Sequence, residues 1–115
     1  MSDGPHDNQI DVFVSRVFEK QMNKLSDAQC EVVEDEIDRI IEEPTLGTQK
    51  KGDLSYLWVH KFKLNAQEVL LGYAWIENKL ELYLLNISSH ENFYATMKKQ
   101  IKADLKIIGA TPNRR

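Results

Sequence analysis

Between Leu54 and Phe62 apolar and aromatic residues recur at alternate positions. Read with a period of two, Leu54, Tyr56, Trp58, His60 and Phe62 share one face, and Leu57, Val59, Lys61 and Lys63 share the other. This predicts a strand from Ser55 to Leu64. Asn65-Ala66-Gln67 reads as a turn. Glu68 to Ile76 is the next strand, with Val69, Leu71, Tyr73 and Trp75 on one side. Glu77-Asn78 reads as a two-residue hairpin connection. Leu80, Leu82 and Leu84 then alternate with Glu81, Tyr83 and Leu85. Three strands with short connections predict an antiparallel meander.

Upstream the period changes. Ile10, Val12 and Val14 alternate within Gln9 to Ser15, a short first strand expected to pair onto the meander. Phe18, Met22 and Leu25 then follow helical spacing. Ser26 with Gln29 forms a capping box ahead of a second stripe, Cys30, Val33, Ile37, Ile40 and Ile41. The opposite side of that helix is acidic, with Glu31, Glu34, Asp35, Asp38 and Glu42, and Pro44 ends it. The two helices read as a hairpin, and Thr45 to Gly52 as a polar loop. After the meander, Ser88-Ser89-His90-Glu91 opens a closing helix, with Ser88 and Glu91 as a second capping box. Phe93, Met97, Ile101 and Leu105 repeat every four residues, and Lys98, Lys99, Lys102 and Lys106 take the exposed side. The predicted class is α+β: an N-terminal strand and helical hairpin packed on one face of a twisted antiparallel β-meander, with a C-terminal helix.

Composition narrows the setting. A chain of 115 residues, 42% hydrophobic and 29% charged, suits one soluble globular domain. We expect a disordered leader over 1–8, one domain over 9–108 and a flexible tail over 109–115. The lone Cys30 excludes an intrachain disulfide and a multi-cysteine metal site. No apolar run approaches the roughly 20 residues that span a bilayer, and the first residues lack a signal-peptide core. A cytoplasmic protein without membrane association is expected. The net charge of −3 hides an asymmetry. Residues 1–47 carry 4 basic and 12 acidic side chains, whereas 48–115 carry 11 basic and 6 acidic. A basic surface on an acidic protein follows.

Candidate chemistry gathers in that basic half. Lys61 and Lys63 lie side by side on one strand face, where an anion such as a phosphate backbone relieves their repulsion. A solvated strand face is the plainer reading of the same pair. At the closing helix, His90 is able to exchange protons near neutral pH, and Tyr94 lies one turn further on the same side. Backbone amides at a helix start suit an anion. A first-turn surface histidine and a rim aromatic remain the plainer reading of the same residues. His60 is expected in the core with one nitrogen satisfied. The chain has no phosphate loop, nucleophile elbow, His-Glu-x-x-His or dinucleotide fingerprint. His6, His60 and His90 lack metal-ligand spacing, so neither metal nor organic cofactor is expected.

Four stretches in combination carry a family resemblance. They are Pro44-Thr45-Leu46-Gly47, Lys50-Lys51-Gly52-Asp53-Leu54, Val59-His60-Lys61-Phe62-Lys63 and Ser89-His90-Glu91-Asn92-Phe93-Tyr94. With the element order over about residues 10–106, they resemble the RelE/ParE superfamily of type II toxin–antitoxin toxins. The resemblance implies a RelE-like fold, a cognate antitoxin as partner, and action on mRNA at the ribosome by a metal-independent endoribonuclease (an mRNA interferase). By position, Lys61 and Lys63 match strand lysines that act as base and phosphate stabiliser. Lys51, with Lys50 beside it, matches a basic loop that contacts RNA. Tyr94 matches a tyrosine that stacks on a base, and His90 lies where members carry arginine or histidine. Nuclease members usually carry a middle-strand arginine where this chain has Leu70. The resemblance therefore also leaves open a ParE-like inhibitor of DNA gyrase without nuclease activity. From another class, a non-catalytic peptide-binding module fits the exposed positions around Leu57 and Val59.

Overall fold

The computed structural model describes residues 9–109. The expected leader, and the expected tail beyond Gly109, lie outside the described residues. The order is β1 (Asp11–Val14), α1 (Arg16–Asn23), α2 (Asp27–Glu42), β2 (Thr48–Gln49), β3 (Trp58–Leu64), β4 (Gln67–Ile76), β5 (Glu81–Ser89), α3 (His90–Lys99) and α4 (Ile101–Gly109). The strands form one sheet in the order β1-β5-β4-β3-β2. β3, β4 and β5 are the antiparallel meander, and β1 joins β5 in parallel.

The hairpin helices start where the sequence places them. Ser15 caps α1 through the Phe18 amide, and Ser26 and Gln29 close the capping box of α2. Between β3 and β4, Leu64 pairs with Gln67. Asn65 and Ala66 make the turn, with φ of 53° and 66°. Two left-handed residues match the twist of the flanking strands.

The sheet is covered on both faces, not on one. Alternation decides which residues go where. One side buries Phe18, Val33, Ile37 and Ile40 of the hairpin against Leu71, Tyr73, Leu82 and Leu84. The other buries Phe93 and Met97 of α3 against Leu57, Val59, Leu70, Tyr83 and Leu85, so Leu57 and Val59 are core positions under α3 and not the exposed ones expected to take a peptide. The meander strands are apolar on both sides, as a two-sided core requires.

Several boundaries differ from expectation. The closing helix breaks at Gln100, so the stripe of four does not continue: Leu105 is 49% exposed and Asp104 takes the buried place. The β4–β5 connection is a 3₁₀ turn over Glu77–Lys79 with Leu80 at φ 54°, and β5 starts only at Glu81. β3 starts at Trp58, because Gly52 (φ 67°) opens a 3₁₀ turn over Gly52–Leu54. Leu54 and Tyr56 therefore pack on the α3 side, away from Trp58 and Phe62. Within the expected polar loop, Thr48 and Gln49 form a short edge strand on β3.

Candidate functional site

On the α3 side of the sheet, at its β2 end, lies an open depression of about 450 Å³. Four parts of the chain line it. Leu46, Gly47, Thr48 and Lys50 come from the segment after α2, Val59, His60 and Lys61 from β3, and His90 and Tyr94 from the start of α3. Leu70 of β4 completes the lining. In register it stands opposite Lys61 on one side and Ser88 on the other.

The first wall is held by a phenol. Tyr73, fully buried, donates from its hydroxyl to the Pro44 carbonyl at 2.7 Å and accepts from the Gly47 amide at 2.9 Å. Burial raises its pKa above the ordinary tyrosine value; the Gly47 amide opposes the rise and the Glu43 carboxylate adds to it. The hydroxyl is thus a protonated donor at neutral pH. Gly47 is needed for the approach, since a Cβ there would lie 2.7 Å from the Val59 carbonyl oxygen. From this wall the Lys50 ammonium reaches over the Tyr94 ring, 5.4 Å from its centroid. Such a contact is worth about 0.5–1 kcal/mol at an exposed site.

The second wall depends on a missing side chain. A Cβ at Gly72 would meet Phe93 Cζ at 2.7 Å, so the glycine lets α3 settle onto β4. Phe93 then packs edge-on against Tyr94, with centroids 5.0 Å apart, and His90 lies edge-on to Tyr94 at 6.4 Å. The expected capping box of Ser88 and Glu91 is absent. Ser88 still pairs with Leu70 as part of β5, and Ser89 takes the N-cap place without a side-chain bond. Ser88 Oγ is left buried with no hydrogen-bond partner. The first-turn amides of α3 have no side-chain cap and remain available to an anion.

Of the residues singled out in the sequence, Lys50, Lys61, His90 and Tyr94 line the depression together. Lys63 shares the face of Lys61 but lies beyond the lining, opposite Glu68, and Lys51 is exposed outside it. His60 contributes to the lining, yet its ring belongs to the hairpin side. Its Nε2 lies 2.7 Å from Glu36 Oε1, and the ring stacks on Phe62. Alternation places Tyr73 with Val69 and Leu71 on one side of β4 and carries no sign of its clamp on the segment after α2. Gly47 ahead of the two lysines was the available sign of a close approach.

A polar network lies behind the second wall. Tyr56 donates to Asp104 Oδ2 at 3.0 Å, and Gln100 Nε2 donates to Asp104 Oδ1 at 3.1 Å and to the Leu85 carbonyl at 3.3 Å. Burial pushes the Asp104 carboxyl up to about 6, against the hydrogen bonds from Gln100 and Tyr56. The network ties α4 to the segment that precedes β3. Among the described residues no three His, Cys, Asp or Glu side chains gather as a metal site. No helix among them is long and apolar enough to cross a membrane.

Taken together, the depression offers ammonium groups, an imidazole and a phenol around an apolar floor of Val59 and Leu70. That suits a polyanion carrying a planar ring. Comparison with known proteins agrees with the architecture. The family model described as ParE-like toxin of type II bacterial toxin–antitoxin system matches residues 12–98. Among solved structures, the intact E. coli RelBE toxin–antitoxin complex is similar at TM-score 0.57 and 18% identity, covering 70% of this chain and 95% of that one. An arginine double mutant of the E. coli toxin RelE in the free state is similar at TM-score 0.59 and 17% identity, covering 79% and 97%. The same RelE mutant in complex with an antitoxin RelBc peptide is similar at 0.56 and 16%, covering 76% and 94%. These likenesses show a shared fold. Among curated proteins, none matches the sequence.

Proposed function

Since the chain belongs to the ParE-like toxins of type II bacterial toxin–antitoxin systems, within the RelE/ParE superfamily, we propose that its depression cleaves mRNA on the ribosome without a metal. One observation carries the reading: Lys50, Lys61, His90 and Tyr94, from three separate elements, line a single depression. In the proposed step the His90 imidazole takes the proton of an RNA 2′-hydroxyl as that oxygen attacks the adjacent phosphorus. The bond from phosphorus to the 5′-oxygen breaks, and the departing oxygen takes a proton from the Lys61 ammonium. The products carry a 2′,3′-cyclic phosphate and a 5′-hydroxyl. Lys50 holds a neighbouring phosphate, Tyr94 stacks on a base, and Lys63 attracts the strand from beyond the rim. Lys51 extends the same cationic approach.

A cognate antitoxin is the proposed partner, since the similar structures include the intact RelBE toxin–antitoxin complex and RelE with an antitoxin RelBc peptide. A second reading, inhibition of DNA gyrase, draws on Leu70, which is 2% exposed where an arginine fork would hold phosphate. Induced expression followed by mapping of mRNA ends on translating ribosomes tests the proposal. Cuts at fixed codon positions, reduced about 10²–10⁴-fold by His90→Ala and by Lys61→Ala, are the expected result. Growth arrest with DNA damage and no cuts would move the function to gyrase.

A further inference from the structure

The hairpin side carries another opening, at its rim beside the β3–β4 turn. It holds about 300 Å³, and Val33, Ile37 and Ile40 take no part in its lining. The floor is apolar. Leu64, Val69 and Ile87 come from the three meander strands, and Leu25 from the link between α1 and α2. Around this floor stand Gln21, Gln29, Asn65 and Gln67, and none of the lining side chains is charged. A neutral set of amides over an aliphatic floor contrasts with the ammonium groups and imidazole of the depression.

The fold decides how two of those amides face. The Ile87 amide donates to Gln21 Oε1 at 2.8 Å, and the Ser26 amide donates to Gln29 Oε1 at 3.0 Å. A backbone N–H only donates, so the side-chain atom that meets it is the carbonyl oxygen, and the orientation of each amide follows. Both glutamines therefore use their acceptor within the fold. Gln21 Nε2 donates one hydrogen to Asn86 Oδ1 at 2.6 Å and keeps the other. Gln29 Nε2 has no partner among the described residues and keeps both. Asn65 and Gln67, exposed at the rim, have no side-chain bond among the described residues that fixes their amides, and can present oxygen or nitrogen.

We infer that this pocket binds an uncharged planar ring bearing carbonyl oxygens, of the uracil type. The ring lies on the aliphatic floor, its carbonyls accept from Gln21 and Gln29, and its ring N–H donates to the oxygen of a rim amide. An anion would find no cation in the lining, and a purely apolar ligand would leave the donors unpaired. Ser88 and Ser89 also line the pocket, and His90, the next residue, lines the depression. The ring has two sources, a free nucleoside or a single RNA strand that passes from the depression over the end of β5. Only the second source rests on the proposed cleavage; the pocket itself does not.

The test titrates the full chain with uridine and with cytidine to about 10 mM and follows the side-chain amide signals of Gln21 and Gln29. Uridine should move both. Cytidine, with an amino group where uridine has a carbonyl, sets donor against donor and should bind at least about tenfold more weakly. Gln29→Glu separates recognition from folding. Its carboxylate still accepts from the Ser26 amide and closes the capping box, so the thermal midpoint should not fall. It also turns a donor at the pocket into an acceptor, so the preference should reverse, with cytidine about tenfold above uridine. A trinucleotide of 2′-deoxyuridine, which has no attacking hydroxyl, identifies the source. Affinity at least about tenfold above uridine, with the Tyr94 signals moving too, assigns the ring to a strand, and equal affinity assigns it to a free nucleoside. Equal binding of uridine and cytidine, no movement at Gln21 and Gln29, or an unchanged preference in Gln29→Glu would overturn the inference. Uridine binding without any mRNA cleavage would leave the pocket standing and remove the nuclease reading.

Discussion

The two faces of the sheet are built to different rules. On the hairpin side, Val33, Ile37 and Ile40 meet Leu71, Leu82 and Leu84, each no more than 1% exposed. On the α3 side the apolar contacts of Phe93 and Met97 share space with buried Gln100 and Asp104, an unpartnered Ser88 hydroxyl and an open depression. The first face holds the fold by excluding water. The second gives up part of that apolar area to keep polar groups at fixed places, and so is able to carry chemistry. Substitutions should separate the two faces.

The largest effect belongs to the hairpin side. Ile37→Ala removes a buried side chain from a face with little room to collapse, and we predict a loss of about 2–5 kcal/mol in urea unfolding. Lys61→Ala, exposed across the sheet, should change stability by less than about 0.5 kcal/mol while removing the proposed activity. Equal losses for the two variants would mean that the faces are not distinct.

Asp104 marks the cost on the other side. Its carboxyl sits at about 6 in the fold against 3.8 in the unfolded chain. A raised acid stabilises the fold fully below about pH 4, and that contribution is lost as pH rises through 6. At about 1.4 kcal/mol per tenfold change in proton affinity, the ionised group costs about 3 kcal/mol at pH 7. We predict that Asp104→Asn flattens the decline in stability between pH 4 and pH 7. At neutral pH it should gain up to about 2 kcal/mol, since the amide keeps only part of the bonding to Tyr56 and Gln100. A variant that declines as steeply as the parent would show that the carboxylate is not what the second face pays for.

Gly72→Ala sharpens the comparison within one residue. Its Cβ would fall 2.7 Å from Phe93 Cζ and 3.0 Å from Leu57 Cδ1, both on the α3 side. We predict a loss of about 1–3 kcal/mol. The amide shifts should concentrate at His90 to Tyr94 and leave α2 unmoved. Shifts spread evenly through α2 would contradict an independent second face.

These contrasts also explain what the sequence makes legible. Strand alternation and the hairpin stripe are local, so β4, β5, α1 and α2 are readable from spacing, and so is the shared face of Lys61 and Lys63. Position in the helix order is not local. Nothing in the period of Phe93, Met97, Ile101 and Leu105 says that the helix stops at Gln100, and beyond that stop Asp104 meets Tyr56, a partner 48 residues away. The depression is legible only in part for the same reason. Lys61, His90 and Tyr94 stand out by type, but the Tyr73 clamp depends on a carbonyl from another element, 29 residues distant.

The smallest effect lies at the turn that serves both faces. Asn65 and Ala66 decide which residues of β3 face which side, because a slip of one residue would exchange Lys61 for His60 across the sheet. Asn tolerates its left-handed angle, whereas Ala66, at φ 66°, holds a conformation that costs an alanine about 1 kcal/mol and a glycine almost nothing. Glycine also gives the unfolded chain more freedom, which offsets part of the relief. We predict that Ala66→Gly raises stability by about 0.5 kcal/mol, with the β3–β4 pairing unchanged in amide exchange. A loss instead of a gain would mean that the turn does not hold the left-handed pair, and that the register placing Lys61 beside Leu70 is kept by the strands alone.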